Sequence, residues 1–304
     1  MMNASEKWQK IRDYASVMRV DHWLKNVFFI SGAVFAFFLA HVPFTMLIAR
    51  NLVLTFLVFG FVASVNYILN EIVDSPFDKL HPVKKFRAVP SNKVKIPILY
   101  AMQVVLLGVA LLSAYLLLPR AVLYVSISFF ISGLVYNVRP IRLKDVPILD
   151  VVTESVNNSI RFLAGWYVIT SAIPPVYLLV SFWALGAFWM AGKRYGELLF
   201  LQEQKSDFAG YRKSLGYYTP KKLLYLIGSS CAVCFIAYGA AAFQSPKLFV
   251  VLPFIVIYFA WYYRMILRND IIVREPETFF KRPFFLAYNF FLSAIVFIVL
   301  FLWK

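Results

Sequence analysis

Long apolar runs alternate with short, charge-rich connectors along the whole chain. Runs of roughly 17 to 25 apolar residues are long enough to cross a bilayer as helices, and they fall near 26–41, 45–69, 97–118, 121–138, 148–170, 174–192, 223–243, 247–266 and 284–303. The pattern predicts an all-α, polytopic membrane bundle of about nine transmembrane helices, forming a single domain over 1–304. Arg161 falls inside one of these spans. A cation at that depth is costly unless it is paired or lines a wet cavity, so Arg161 reads as a cavity or pairing residue. Glu154, earlier on the same helix, is its expected partner.

Composition agrees with a bilayer as solvent: 61% of residues are hydrophobic, 18% are aromatic and mean hydropathy is +0.71, above the apolar share of a soluble domain. The basic N-terminal stretch is followed by no small-residue cleavage site, so it reads as mature sequence. Charge then orients the bundle. Of the 31 Lys and Arg, all but Arg50, Arg120, Arg161, Lys247 and Lys304 lie before the first span or in alternate connectors. By the positive-inside rule those segments, and the N-terminus with them, are cytoplasmic. The reading is a multi-pass protein of the inner (plasma) membrane with its C-terminus outside.

All 15 Asp and Glu also fall at or near the inner face, which the rule does not require. A face rich in both signs of charge suits the handling of a charged molecule at the cytoplasmic surface. A transporter would carry polar groups along a path through the membrane. The net charge of +16 is spread over short connectors, with no soluble domain to carry it to nucleic acid. Cys231 and Cys234 form a CxxC inside a span, with no second pair and no nearby His, and read as helix packing.

Three clusters carry chemistry. In the first, Asn70, Asp74 and Asp78 recur at i, i+4 and i+8 at the end of the second span, with Glu71 beside them. If the helix continues through Pro76, they share one face. Oxygen donors so spaced suit Mg²⁺, which takes one or two carboxylates and completes its shell with water and phosphate oxygens. His81 to Arg87 follows as a basic loop in which Lys84 and Arg87 can hold phosphate.

The second cluster runs from Tyr136 through Arg139, Arg142 and Lys144 to Asp150 and Glu154, the last two again at i, i+4. The third, Lys193, Arg194 and Glu197, ends the sixth span. Arg19 to Asn26 reads as an interfacial segment whose Lys25 and Asn26 reach toward the same place. No Gly-rich phosphate loop and no nucleophile–base pair is present, which leaves metal-assisted handling of a phosphate or diphosphate beside a lipid.

At these residues the chain resembles the UbiA superfamily of intramembrane prenyltransferases, whose first motif is N-D-x-x-D-x-x-x-D. Asn70 to Asp78 fits it with Glu71 in place of the usual Asp, and Asp150 to Glu154 fits the second motif in reduced form. Within the superfamily the chain looks most like the decaprenyl-phosphate phosphoribosyltransferases. The similar stretches are Arg19 to Asn26, His81 to Lys84, Leu149 to Val151, Arg161 to Gly165, Met190 to Glu197 and Arg212 to Thr219. After Arg87 that branch commonly continues Pro-Ile-Ala-x-Gly, whereas here Ala88-Val-Pro-Ser-Asn92 follows, an expected change of local turn.

The resemblance implies a Mg²⁺-dependent enzyme that moves a phosphoribosyl group from 5-phosphoribosyl diphosphate to a polyprenyl (decaprenyl) phosphate in cell-wall arabinan precursor synthesis. It implies a metal on Asn70, Asp74 and Asp78, catalytic roles for Asp74, Asp78 and Asp150, and substrate contacts from Lys25, Asn26, Lys84, Arg87, Tyr136, Lys144, Glu154, Arg161, Lys193, Arg194 and Glu197. Homo-oligomerisation is compatible with it. The competing expectation is a UbiA-type enzyme with a prenyl diphosphate donor and an aromatic or other small acceptor.

Overall fold

The computed structural model describes residues 4–205, 208–275, 278 and 281–302, and among these the ordered elements are all helical. A surface helix, α1 (Ala4–Met18), leads through the 3-10 segment Val20–Phe28 into α2 (Phe29–Ala40). Then come α3 (Met46–Asp78), α4 (Ile96–Leu117), α5 (Arg120–Asn137), α6 (Leu149–Ile169) and α7 (Val176–Glu203). Two short helices, α8 (Phe208–Tyr211) and α9 (Lys213–Tyr217), precede α10 (Pro220–Gln244), α11 (Leu252–Leu267), α12 (Ile271–Arg274) and α13 (Pro283–Phe297). Each predicted apolar run is therefore a helix.

Among the described residues, seven helical segments are long and apolar enough to cross a membrane. Of the other predicted spans, α11 is apolar but 16 residues long, and α6 carries Asp150, Glu154, Asn157, Asn158 and Arg161 through the bundle. Large apolar side chains such as Val104, Leu112 and Leu116 on α4 point outward, as expected where lipid is the solvent.

Helix ends follow local chemistry. Thr45 caps α3 by accepting from the Ile48 amide at 3.3 Å, and Thr219 caps α10 from Lys222. Pro76 lies within the last turn of α3, which nonetheless runs on to Asp78. So near the C-terminus the bond it removes is one of few that remain, and the chain keeps its helical course.

The α2–α6 crossing is the tightest contact in the fold. A Cβ on Gly165 would stand 1.7 Å from the Phe29 carbonyl oxygen, and one on Gly32 would stand 1.9 Å from that of Phe162. Only glycine lets two backbones meet so closely, a recurrent device between membrane helices. The crossing also presses the segment before α2, with Asn26, against the middle of α6. Gly165→Ala should therefore lower the melting midpoint sharply, a backbone-to-backbone overlap costing about 3 kcal/mol. Gly228→Ala, where a Cβ meets nothing within 4 Å, should leave it unchanged.

Candidate active site

Because α3 continues through Pro76, Asp74 and Asp78 stand one turn apart on one face, and both are buried. Asn70, a turn further into the bundle, donates to the Asn137 side-chain oxygen at 2.6 Å. Carboxylates removed from water need charge partners, and the connectors supply them. The loop after α5 brings Arg142 to Asp74 at 2.9 Å and places the Lys144 ammonium against the same oxygen. Burial pushes Lys144 down to about 8, against the pull of Asp74. The loop after α3 brings Arg87 to Asp78 at 2.7 Å.

That same loop carries Lys84 across to Glu197 on α7 at 2.8 Å, with Tyr211 also in contact. Burial opposes the Lys84 charge, yet the Glu197 and Tyr211 oxygens outweigh it and raise its pKa. Arg194 is the hub of the far side: it reaches Asp150 at 2.9 Å, Glu197 at 2.8 Å and the Tyr136 hydroxyl at 3.0 Å. Asp150 is 0% exposed. Its oxygens accept from Arg194, from Ser214 at 3.0 Å and from Tyr218 at 2.5 Å, so it fastens the 208–218 segment to α6 and α7.

The sequence-predicted residues thus fall into groups. Asp74 with Lys144, Asp78 with Arg87, and Lys84 with Glu197, Arg194, Asp150 and Tyr136 form three neighbouring hydrogen-bonded groups at one end of the bundle. Lys193 is half-buried beside it on α7, and its neighbour Arg194 is the side chain that meets Asp150 and Glu197. Lys25 lies at the interfacial segment, 3.4 Å from a His22 ring nitrogen. Asn26, Glu154 and Arg161 lie deeper.

Here one expectation is corrected: Arg161 bonds Asn26 at 3.0 Å rather than Glu154, while Glu154 accepts from Asn157 at 3.3 Å. Seven residues along a helix separate two side chains by about 10 Å, too far for an ion pair, whereas the glycine crossing brings Asn26 close.

At the departure after Arg87, Asn92 adopts a left-handed conformation, φ 57°, which glycine takes freely and asparagine tolerates. Glu71 has a defined task there: one oxygen accepts the Val89 amide at 3.1 Å and the other meets Arg19 at 3.4 Å.

Sequence reasoning left Arg142, Tyr211 and Arg212 out of the site. Arg212 is half-buried, donates to the Tyr136 hydroxyl at 3.4 Å and leaves its Nε sealed without an acceptor. Its only signal was its place in the stretch Arg212 to Thr219. With Asp74, Phe77, Arg142, Lys144, Asp145 and Tyr211 it lines a cleft of about 10 Å³, far too small for a diphosphate. A larger open cleft of about 420 Å³ lies between α1, the interfacial segment and the loop after α3. Arg87 joins the two, since it borders the large cleft and pairs with Asp78. Binding a diphosphate at Asp74 requires the 138–148 loop or the 208–218 segment to move.

Among the described residues no three His, Cys, Asp or Glu side chains converge on a metal position. The donor set nonetheless fits Mg²⁺, a hard cation content with one or two carboxylates and an amide oxygen when water and substrate complete its shell.

The chain is a helical membrane bundle with an acid-rich helix end faced by basic loops, and comparison with known proteins gives its family. Residues 27–293 match the UbiA prenyltransferase family, and the chain belongs to that family and is a multi-span membrane transferase. It is 28% identical over 231 residues to a decaprenyl-phosphate phosphoribosyltransferase of Corynebacterium glutamicum, covering 75% of this chain and 66% of that protein. Against its counterpart from Mycobacterium tuberculosis it is 29% identical over 228 residues, 75% and 72% of the two chains. Its fold matches a UbiA homologue from Archaeoglobus fulgidus bound to DMAPP and Mg²⁺, with TM-score 0.70 and 18% identity over 93% of this chain and 99% of that one.

Two outcomes test the network. Asp150→Asn should destabilise the protein by about 3 kcal/mol, the scale for breaking a buried ion pair, and expose the 208–218 segment to limited proteolysis. The second concerns His81, whose Nδ1 accepts from the Val83 and Lys84 amides at 3.1 and 3.2 Å. Burial, then the Lys84 charge, push its pKa from 6.5 to about 3. The unfolded chain therefore binds a proton that the folded one refuses between those values, and stability falls as pH drops through that window. The melting midpoint should fall less between pH 6.5 and 4.5 in His81→Asn than in the parent.

Proposed function

We propose that the protein transfers a 5-phosphoribosyl group from 5-phosphoribosyl diphosphate to a polyprenyl phosphate and releases diphosphate, as its relatives' names suggest. It does so as one membrane domain of the plasma membrane with the site facing the cytoplasm, and supplies a lipid-linked precursor of the cell wall. The observation that supports this most is the surplus of cation. Lys84, Arg87, Arg142, Lys144, Arg194 and Arg212 stand against Asp74, Asp78, Asp145, Asp150 and Glu197. A prenyl diphosphate brings one diphosphate; a phosphoribosyl donor brings a second, separate phosphate, and more cation is needed to hold both.

Asn70, Asp74 and Asp78 would hold Mg²⁺, which when bound neutralises charge on the departing diphosphate. Arg142, Lys144 and Arg87, already aimed at those carboxylates, are the side chains that take phosphate oxygens. Glu197, one oxygen of which meets Lys84 and Tyr211 and the other Arg194, offers a carboxylate to the ribose hydroxyls by exchanging one of these partners. Asp150, its oxygens occupied, acts as a positioning residue through Arg194. The lipid phosphate is an anion at neutral pH and needs no general base.

Purified protein with Mg²⁺, a long-chain polyprenyl phosphate and labelled 5-phosphoribosyl diphosphate should give a labelled lipid, and EDTA should prevent it. Asp74→Asn should abolish transfer and, because it also breaks the buried pairs to Arg142 and Lys144, lower the melting midpoint on the scale expected for Asp150→Asn. Label that stays in water, together with transfer from a prenyl diphosphate to an aromatic acceptor, would replace this reading with the general prenyltransferase one.

A further inference from the structure

The deepest charged residue of the bundle is unpaired. Arg161 is 7% exposed, and no carboxylate among the described residues comes within ion-pairing distance of it. It makes one hydrogen bond, Nε to the Asn26 side-chain oxygen at 3.0 Å, and its guanidinium lies 4.9 Å from the centre of the Phe129 ring. The titratable groups within electrostatic reach are Tyr67 and Glu154, and Glu154 is engaged with Asn157. Asn26, 1% exposed, has its Nδ2 sealed from water with no acceptor. A buried cation beside an unsatisfied amide N–H is unfavourable for the protein alone. Both groups are donors, so what completes them is an anion.

We infer that Arg161 and Asn26 form the subsite for the phosphate of the lipid acceptor, an inference that rests on the phosphoribosyl-transfer reading and adds the acceptor's place to it. Depth supports this. Arg161 lies eleven residues along α6 from Asp150, about 16 Å, and side chains on a helix lean toward its N-terminus, here toward the acid network. On α3, Tyr67 lies seven residues below Asp74, about 10 Å. The anion therefore sits beneath the diphosphate position with room for one pentose between. That order matches in-line displacement at the anomeric carbon: a lipid phosphate oxygen forms the new bond to C1 from one side, while the C1–O bond to diphosphate breaks on the other and the electron pair leaves with diphosphate.

Two features favour the lipid over the donor's own 5-phosphate. Asn26 belongs to a segment whose Leu24, Val27 and Ile30 are exposed on the outside of the bundle, so a headgroup at Asn26 adjoins lipid-facing surface along which a polyprenyl tail can run. One guanidinium and one amide, with no carboxylate set to hold a metal, suit a single phosphate group.

The test is binding without donor. Protein in phosphatidylcholine nanodiscs is titrated with decaprenyl phosphate and with decaprenol, and separately with 5-phosphoribosyl diphosphate and Mg²⁺. The parent should bind the lipid phosphate at least tenfold more tightly than the alcohol. Arg161→Gln and Asn26→Ala should each erase most of that ratio and leave donor affinity within twofold, and Arg161→Lys should keep part of it. Should Arg161→Gln fail to fold, the Asn26→Ala ratio decides. An unchanged ratio in the variants, no preference in the parent, or a loss confined to the donor would overturn the assignment. If phosphoribosyl transfer is absent while lipid-phosphate binding still depends on Arg161, the subsite stands and the donor reading falls.

Discussion

A carboxylate carried to the buried end of a membrane helix has to be neutralised, and the arrangement of this whole end of the bundle follows from that constraint. Asp74, Asp78, Asp150 and Glu197 come from three helices that have no short-range reason to meet. Each is met by a guanidinium or ammonium: connectors bring Arg142 and Lys144 to Asp74, Arg87 to Asp78 and Lys84 to Glu197, while Asp150 is met by Arg194 from α7. The connectors are thereby folded down onto the bundle. Their paths are set less by their own propensities than by where negative charge stands.

The same pairing explains how a site can be stable before it binds anything. The cations at Asp74 and Asp78 neutralise both carboxylates in the protein alone. A site with acids alone would repel itself when empty.

The helices and their order were legible in the sequence because the apolar runs are long and the connectors sharply polar. Asp74 and Asp78 were legible because helical spacing gives them one face, provided Pro76 does not end α3. What remained hidden came from tertiary contact. The Arg161–Asn26 bond depends on the Gly32–Gly165 crossing, and local spacing pointed to Glu154 instead. Tyr211 ends the short helix α8 and Arg212 lies in extended backbone between α8 and α9, so no periodicity marked them as inward-facing. Glu71 looked like a weakened motif residue, yet its extra methylene lets it reach the Val89 amide.

Helix α3 acts as a measuring rod. One uninterrupted rod carries Asn66 and Tyr67 at depth, Asn70 and Glu71 a turn higher, and Asp74 and Asp78 at the end. Its angular phase and its length are set together. One residue inserted between Tyr67 and Asn70 would rotate every later side chain by about 100° and lift it about 1.5 Å, swinging both aspartates away from Arg142 and Arg87 while leaving every motif letter intact. Evolution of this helix is therefore constrained in length as tightly as in letters: sequence drift is tolerated on its lipid face, and insertions or deletions are not.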